Sequence, residues 1–179
     1  MLEFDGETSF EVDLSSVSST STFSIWFWRY NEPSDQTLIS RGNQKFSASF
    51  DKDSFESMDL VINKKSIKLD LTQRFNMWLN LVVVFDGTTS YSYGIFDIEG
   101  TSLLSGSGTG TAVSSGVDDP LVIGDSFNGM IRGLLVTESK LTVAVQYDTE
   151  AKYKAAAKFG ASLTKDNWAE GFEIKTYGS

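Results

Sequence analysis

The chain has no cysteine and no histidine among its 179 residues. The first absence excludes disulfides, thiolate metal ligands and a cysteine nucleophile. The second removes the commonest metal ligand and the commonest general base. Basic clusters are also missing: Lys64-Lys65 is the only Lys/Arg doublet, in a chain whose formal net charge is −9. That balance argues against nucleic acid, whose phosphates must be neutralised by clustered cations, and against anionic membrane surfaces. No apolar run approaches the roughly 20 residues of a membrane span. Met1-Leu2-Glu3-Phe4 opens as a strand and not as a basic segment followed by an apolar one, so no signal peptide is expected.

None of the Asn residues begins an Asn-x-Ser/Thr sequon. With the missing cysteines, this points to a prokaryotic or viral origin, or to a compartment that does not oxidise thiols.

What the chain does have is aromatic residues, 13% of the total, with 13 Phe, 4 Trp and 6 Tyr, within 40% hydrophobic residues. Such a composition suits an ordered sandwich of strands in one domain. Phe10 to Leu14 alternates apolar and polar, and Phe46, Ala48 and Phe50 share a parity, as strands with one buried face do. Phe23 to Tyr30 is apolar at both parities, which predicts a central strand covered on two sides. Trp78 to Phe85 is the most apolar run and predicts a core strand. Asn63-Lys64-Lys65 and Asp86-Gly87 predict hairpin turns, and Asn31 to Asp35, with Pro33, a loop. Ser105 to Gly116, rich in Gly, Ser and Thr, is expected to be a surface loop. Thr142 to Phe159 carries Tyr147, Ala151, Ala155 and Phe159 at steps of four, ahead of a helix-stopping Gly160, and predicts a helix. Phe172 to Tyr177 alternates like a late strand.

Five phrases occur in an order and spacing that resemble the laminin-G-like, concanavalin A-like lectin jelly rolls. They are Leu2-Glu3-Phe4-Asp5-Gly6, Phe23 to Trp28, Trp78 through Phe85 to Asp86-Gly87, Leu121-Val122-Ile123-Gly124, and Phe127-Asn128-Gly129-Met130-Ile131. The resemblance implies an all-β sandwich of two antiparallel sheets over residues 1–141. A helix and tail over 142–179 would pack on the same single domain. It also implies a binding module of the kind that is mostly non-enzymatic, at an extracellular surface or in a virion.

Candidate chemistry is thin. The family's hydrolases string three acids along one strand; here Asp97-Ile98-Glu99 lacks the third, and Asp51, Asp53 and Glu56 fall in a turn. Without histidine only Ser-x-x-Lys remains for serine chemistry. Ser49/Lys52 and Ser162/Lys165 match it at a spacing common enough to arise by chance. Calcium, used by several related modules, has possible ligands in Asp118-Asp119 with Asp125, or in Asp51, Asp53 and Glu56. The positions after the Phe-x-Gly-x-Ile phrase where relatives carry acids are Arg132 and Gly133 here, so no metal or other cofactor is assigned. Aromatic rings are the remaining candidates, since they stack on the apolar faces of sugars. Phe23, Ile25 and Phe27 share one side of their strand; Trp26, Trp28 and Tyr30 share the other. Trp28 and Trp78 are assigned to the core. Trp26, Tyr30, Tyr91 and Tyr93, with Asn31 at the edge, are the candidate ligand-binding residues.

The expected partner is therefore a glycan or a protein surface, with the helix and tail available for homo- or hetero-assembly. The alternative is a structural component of a larger assembly, such as a phage decoration or adhesin protein. A glycoside hydrolase is the weakest reading.

Overall fold

Apolar alternation resolves into two antiparallel sheets in a computed structural model that describes residues 2–12, 20–42, 45–112, 120–144, 146 and 175–177. The strands are β1 (Leu2–Asp5), β2 (Ser9–Val12), β3 (Thr20–Arg29), β4 (Gln36–Arg41), β5 (Phe46–Phe50), β6 (Ser57–Ile62) and β7 (Lys65–Asp70). After them come β8 (Trp78–Asp86), β9 (Ser90–Asp97), β10 (Ser102–Thr109), β11 (Leu121–Ile123), β12 (Asn128–Thr137) and β13 (Lys175–Tyr177). A six-stranded sheet runs β1-β12-β3-β8-β9-β10, and a seven-stranded sheet runs β13-β2-β11-β4-β5-β6-β7. A single 3-10 turn, Lys52–Ser54, joins β5 to β6.

The core lies between the sheets. Phe23, Ile25 and Phe27 of β3 and Leu79, Leu81 and Val83 of β8 enter it from one side. Leu38, Phe46, Ala48, Phe50 and Leu60 enter from the other, all buried. Removing each large side chain from water stabilises the fold by roughly 1.5–3 kcal/mol. Turns fall where their chemistry places them: Asn63 and Lys64 take positive φ (48° and 64°) between β6 and β7, and Gly87 takes φ +83° between β8 and β9.

Ser105 to Thr109 corrects the expectation of a loop, since these residues pair with β9 as part of β10. Gly106 is opposite Tyr93 and Gly108 opposite Tyr91. A Cβ on Gly108 would come within 2.6 Å of the Tyr91 hydroxyl. The glycines are thus the spaces into which neighbouring tyrosines lie, and not a sign of missing structure.

Beyond β12 the chain does not turn into a helix at Thr142. Residues 142–144 and 146 are irregular, and the rest of the expected helix lies outside the described residues. Residues 139–144 and 146 form a strap across the outer face of the six-stranded sheet. Thr22 Oγ1 donates to the Ser139 carbonyl (2.7 Å) and accepts from the Leu141 amide (3.1 Å). Val143 packs on Val82, Val84 and Phe96. The Gln146 amide donates to Asn80 Oδ1 at 2.9 Å. Asn80 is fully buried, and its amide group donates in turn to Ser24 Oγ (2.9 Å) and the Ile25 carbonyl (3.1 Å), so each of these polar atoms has a partner.

Arg29 is buried at the opposite end of β3, 1% exposed. Its guanidinium lies 4.1, 4.2 and 4.6 Å from the ring centroids of Phe50, Phe75 and Phe55, and Nη1 donates to the Phe55 carbonyl. Burial lowers its pKa to about 10, opposed by the charge of Glu56.

Candidate functional site

The outer face of the six-stranded sheet is built of cross-strand rows. One row aligns Arg132, Trp26, Asn80 and Phe96; the next aligns Glu3, Met130, Trp28 and Trp78. The strap covers Trp26, Asn80 and Phe96 of the first row and leaves Arg132 exposed. Trp26 is only 4% exposed, and its indole Nε1 donates to the Gln146 carbonyl at 2.8 Å. The second row is left outside that cover. Trp28 and Trp78 are half-buried, with ring centroids 5.8 Å apart and planes at 72°.

This corrects the placement of Trp28 and Trp78 in the core. Both stand on the outward parity of their strands, opposite in direction to Phe27 and Leu79. A strand apolar on both faces does not declare which set is inside.

Polar groups rim the ring pair. The Tyr30 hydroxyl donates to Glu3 Oε1 at 2.7 Å. That bond, then partial burial and the carboxylate's charge, raises the phenol above its ordinary 10.0. The Arg132 guanidinium lies 5.8 Å from the Trp78 ring centroid, and its residue is exposed. Two angled aromatic faces beside a carboxylate, a phenol and a guanidinium can stack on C–H faces and hydrogen-bond hydroxyls at once.

The other expected site residues do not join this row. Tyr91, 4% exposed, and Tyr93 turn inward from β9, their rings stacked at 6.5 Å against the core cluster. Burial, and then the neighbouring Tyr93, raises the Tyr91 phenol above the usual range. Asn31 is exposed in the loop after β3, next in sequence to Tyr30. So Tyr30 and Asn31 stand near the outward tryptophans, Trp26 is sealed beneath the strap, and the Tyr91–Tyr93 pair is on the opposite face of the sheet. Trp28 and Trp78 are the residues that sequence reasoning left out. Their shared outward parity with Tyr30 was the available signal for Trp28.

The seven-stranded sheet presents a different surface. Thr37, Ser49, Asp59 and Lys68 align across β4 to β7. They lead into an open depression of about 400 Å³ rimmed by Asp35, Asp51 and Asp125. Its one ring, Phe50, is 2% exposed and offers no stacking face. The carboxylates there close loops: Asp35 accepts from the Lys52 amide (2.9 Å) and Asp51 from the Asp53 amide (2.8 Å). Asp97 does the same for the β9–β10 turn, accepting from Glu99 and Thr101 amides at 3.0 and 2.8 Å. Among the described residues no three acidic groups are placed to hold a metal, and Asp118-Asp119 lies outside them. No described helix is long and apolar enough to cross a membrane.

No family model and no curated protein sequence matches the chain. Solved structures do. A heptameric SAP-like pentraxin from Limulus polyphemus is similar over 78% of this chain and 72% of its own, with 15% identity and a TM-score of 0.55. Domain 4 of AbnA, an extracellular GH43 arabinanase from Geobacillus stearothermophilus solved with arabinotriose, matches 78% of this chain and 71% of its own at 16% identity, TM-score 0.56. Tailspike protein 2 of the Escherichia coli O157:H7 bacteriophage CAB120 matches 88% of this chain but 24% of its own, at 10% identity and TM-score 0.55. At such identities the likeness shows the fold: a jelly-roll β-sandwich.

Proposed function

We propose that this protein is a non-catalytic recognition module that takes a glycan on the outer face of its six-stranded sheet. The observation that supports this reading is the Trp28–Trp78 pair, turned outward, set edge to face and left outside the strap that seals Trp26. Sugar rings would stack on the indoles, while Glu3, Tyr30 and Arg132 engage hydroxyls, with Asn31 at the margin. The arabinotriose-bound accessory domain adds support by analogy of fold.

The test is a glycan array probed with the wild-type chain and with Trp28→Ala and Trp78→Ala. Stacking on an aromatic platform predicts that any oligosaccharide retained by the wild type is lost by both variants. Retention unchanged by either substitution, or no retained glycan at all, would contradict the reading.

A second reading, a component of a larger particle, draws on the match of 88% of the chain within a tailspike. On this reading the sandwich is an adhesin or decoration unit, and the glycan face is its outward surface.

A further inference from the structure

The edge of the six-stranded sheet at β10 carries no charge. The chain has no charged residue between Glu99 and Asp118. By contrast β7 exposes Lys65, Lys68 and Asp70, β1 exposes Glu3 and Asp5, and β13 carries Lys175. Charge, proline and bulges are what keep sheet edges from pairing with other chains. β10 has no proline, and its one irregularity, between Ser102 and Leu104, precedes the regular ladder from Leu104 to Thr109.

Two hydrogen bonds fix which of its amides face outward. Gly110 donates to the Thr89 carbonyl, on the β9 side, at 3.0 Å, and Thr111 donates to the Asn63 carbonyl of the β6–β7 turn at 2.8 Å. Successive amides of a strand point in opposite directions. Those of Gly106 and Gly108 therefore face β9, and those of Ser105, Ser107 and Thr109 face away from it. No described strand lies on that side. The side chains of these three residues are small hydroxyls, all exposed.

The two ends of the strand carry opposite charge. Asp97 ends β9 and Glu99 stands in the turn into β10. At the other end, where Thr111 meets Asn63, stand Lys64 and Lys65, the only Lys/Arg doublet of the chain. Glu99, Lys64 and Lys65 are exposed. An antiparallel copy of the same edge brings each acidic turn towards the other's basic turn; a parallel copy would set like against like. In a chain of net charge −9, β10 is thus its own complement, with hydroxyl against hydroxyl along the ladder and opposite charges at its ends.

We propose that the outer edge of β10 is a self-pairing interface that takes β10 of a second copy of this chain, antiparallel about a two-fold axis at Ser107. Ser105 then faces the second copy's Thr109, and Glu99 lies towards its Lys64-Lys65 turn. The two six-stranded sheets become one continuous sheet, with both Trp28–Trp78 pairs on the same side of it.

The test is sedimentation velocity of the full-length chain over a wide range of concentration. The wild type should pass from monomer to dimer and stop there, because the pairing uses up the edge. Ser107→Pro removes one outward donor from each copy, and Ser107→Lys sets two cations face to face. Each should weaken dimerisation at least about tenfold. The lysine variant changes only an exposed side chain, so it reads the interface even where proline perturbs the strand. At low ionic strength, Lys64→Glu with Lys65→Glu should also weaken the dimer, and adding Glu99→Lys should restore part of the loss. A chain that stays monomeric throughout, or whose mass rises past the dimer, overturns the proposal. So does a dimer unchanged by Ser107→Lys, or unchanged by the charge reversal at low salt.

Discussion

The indole N–H of Trp26 donates to the main-chain carbonyl of Gln146 across 2.8 Å, joining the middle of β3 to the last described residue of the strap. Trp26 and Trp28 differ by two positions on one face of one strand. The bond marks the boundary between them: one indole is a structural anchor and the other stays half-buried beside Trp78.

The strap should therefore depend on Asn80 as much as on Trp26. Asn80→Leu leaves the Gln146 amide without its acceptor and Ser24 without its donor. The expected loss is about 1–3 kcal/mol per stranded buried group. Urea unfolding measures the loss, and faster hydrogen exchange at the Gln146 amide would place it.

Arg29 is held by three phenylalanine rings and one carbonyl, in surroundings that disfavour its charge. Arg29→Lys replaces a flat, weakly hydrated cation with a compact, strongly hydrated one and should cost about 2–4 kcal/mol. Arg29→Met keeps the apolar stem and leaves only the Phe55 carbonyl short of a partner, so about 1–2 kcal/mol is expected. Denaturation midpoints in the order wild type, Met, Lys test this; the reverse order of the two variants would mean that the cation–ring attraction dominates.

Gly106→Ala should drive a methyl group into the Tyr93 ring and cost about 1–3 kcal/mol. The effect is expected to shrink in a Tyr93→Ala background, because the two residues oppose each other across β9 and β10. A double-mutant cycle by chemical denaturation checks the coupling.

The Tyr30 phenol has a folded pKa above its unfolded value, with Glu3 as acceptor of its hydrogen bond. Its contribution to stability is therefore fully present below the ordinary 10.0 and is lost as pH rises through the raised value. Spectrophotometric titration of phenolate should show late-ionising tyrosines, Tyr91 among them, of which one has a midpoint that moves down towards 10.0 in Glu3→Gln. The stability difference between wild type and Tyr30→Phe should close over the same alkaline interval.

Much of the sandwich was legible because its strands bury one face. Phe46, Ala48 and Phe50 alternate with Ser47 and Ser49, and the two hairpin turns carry Asn63 and Gly87, residue types that positive φ favours. β10 was not legible, because its Gly-Ser composition reflects tyrosines from the adjacent strand and has no periodic signal of its own. The site was legible only in part. Parity grouped Trp26, Trp28 and Tyr30 correctly on one face. It could not separate Trp26 from Trp28, because the strap that distinguishes them arrives from more than a hundred residues away in sequence. For Tyr91 and Tyr93 the signal was present, since they share a parity with Ile95 and alternate with Ser90, Ser92 and Gly94, as a strand with one buried face does.

The most direct measurement is an indole N–H spectrum of the 15N-labelled chain, recorded with and without the oligosaccharide best retained on the array. The Trp28 and Trp78 signals, assigned by substitution, should shift on binding, while the Trp26 signal, already bonded to Gln146, should not. Movement of Trp26 with Trp28 and Trp78 unchanged would contradict the proposed glycan site.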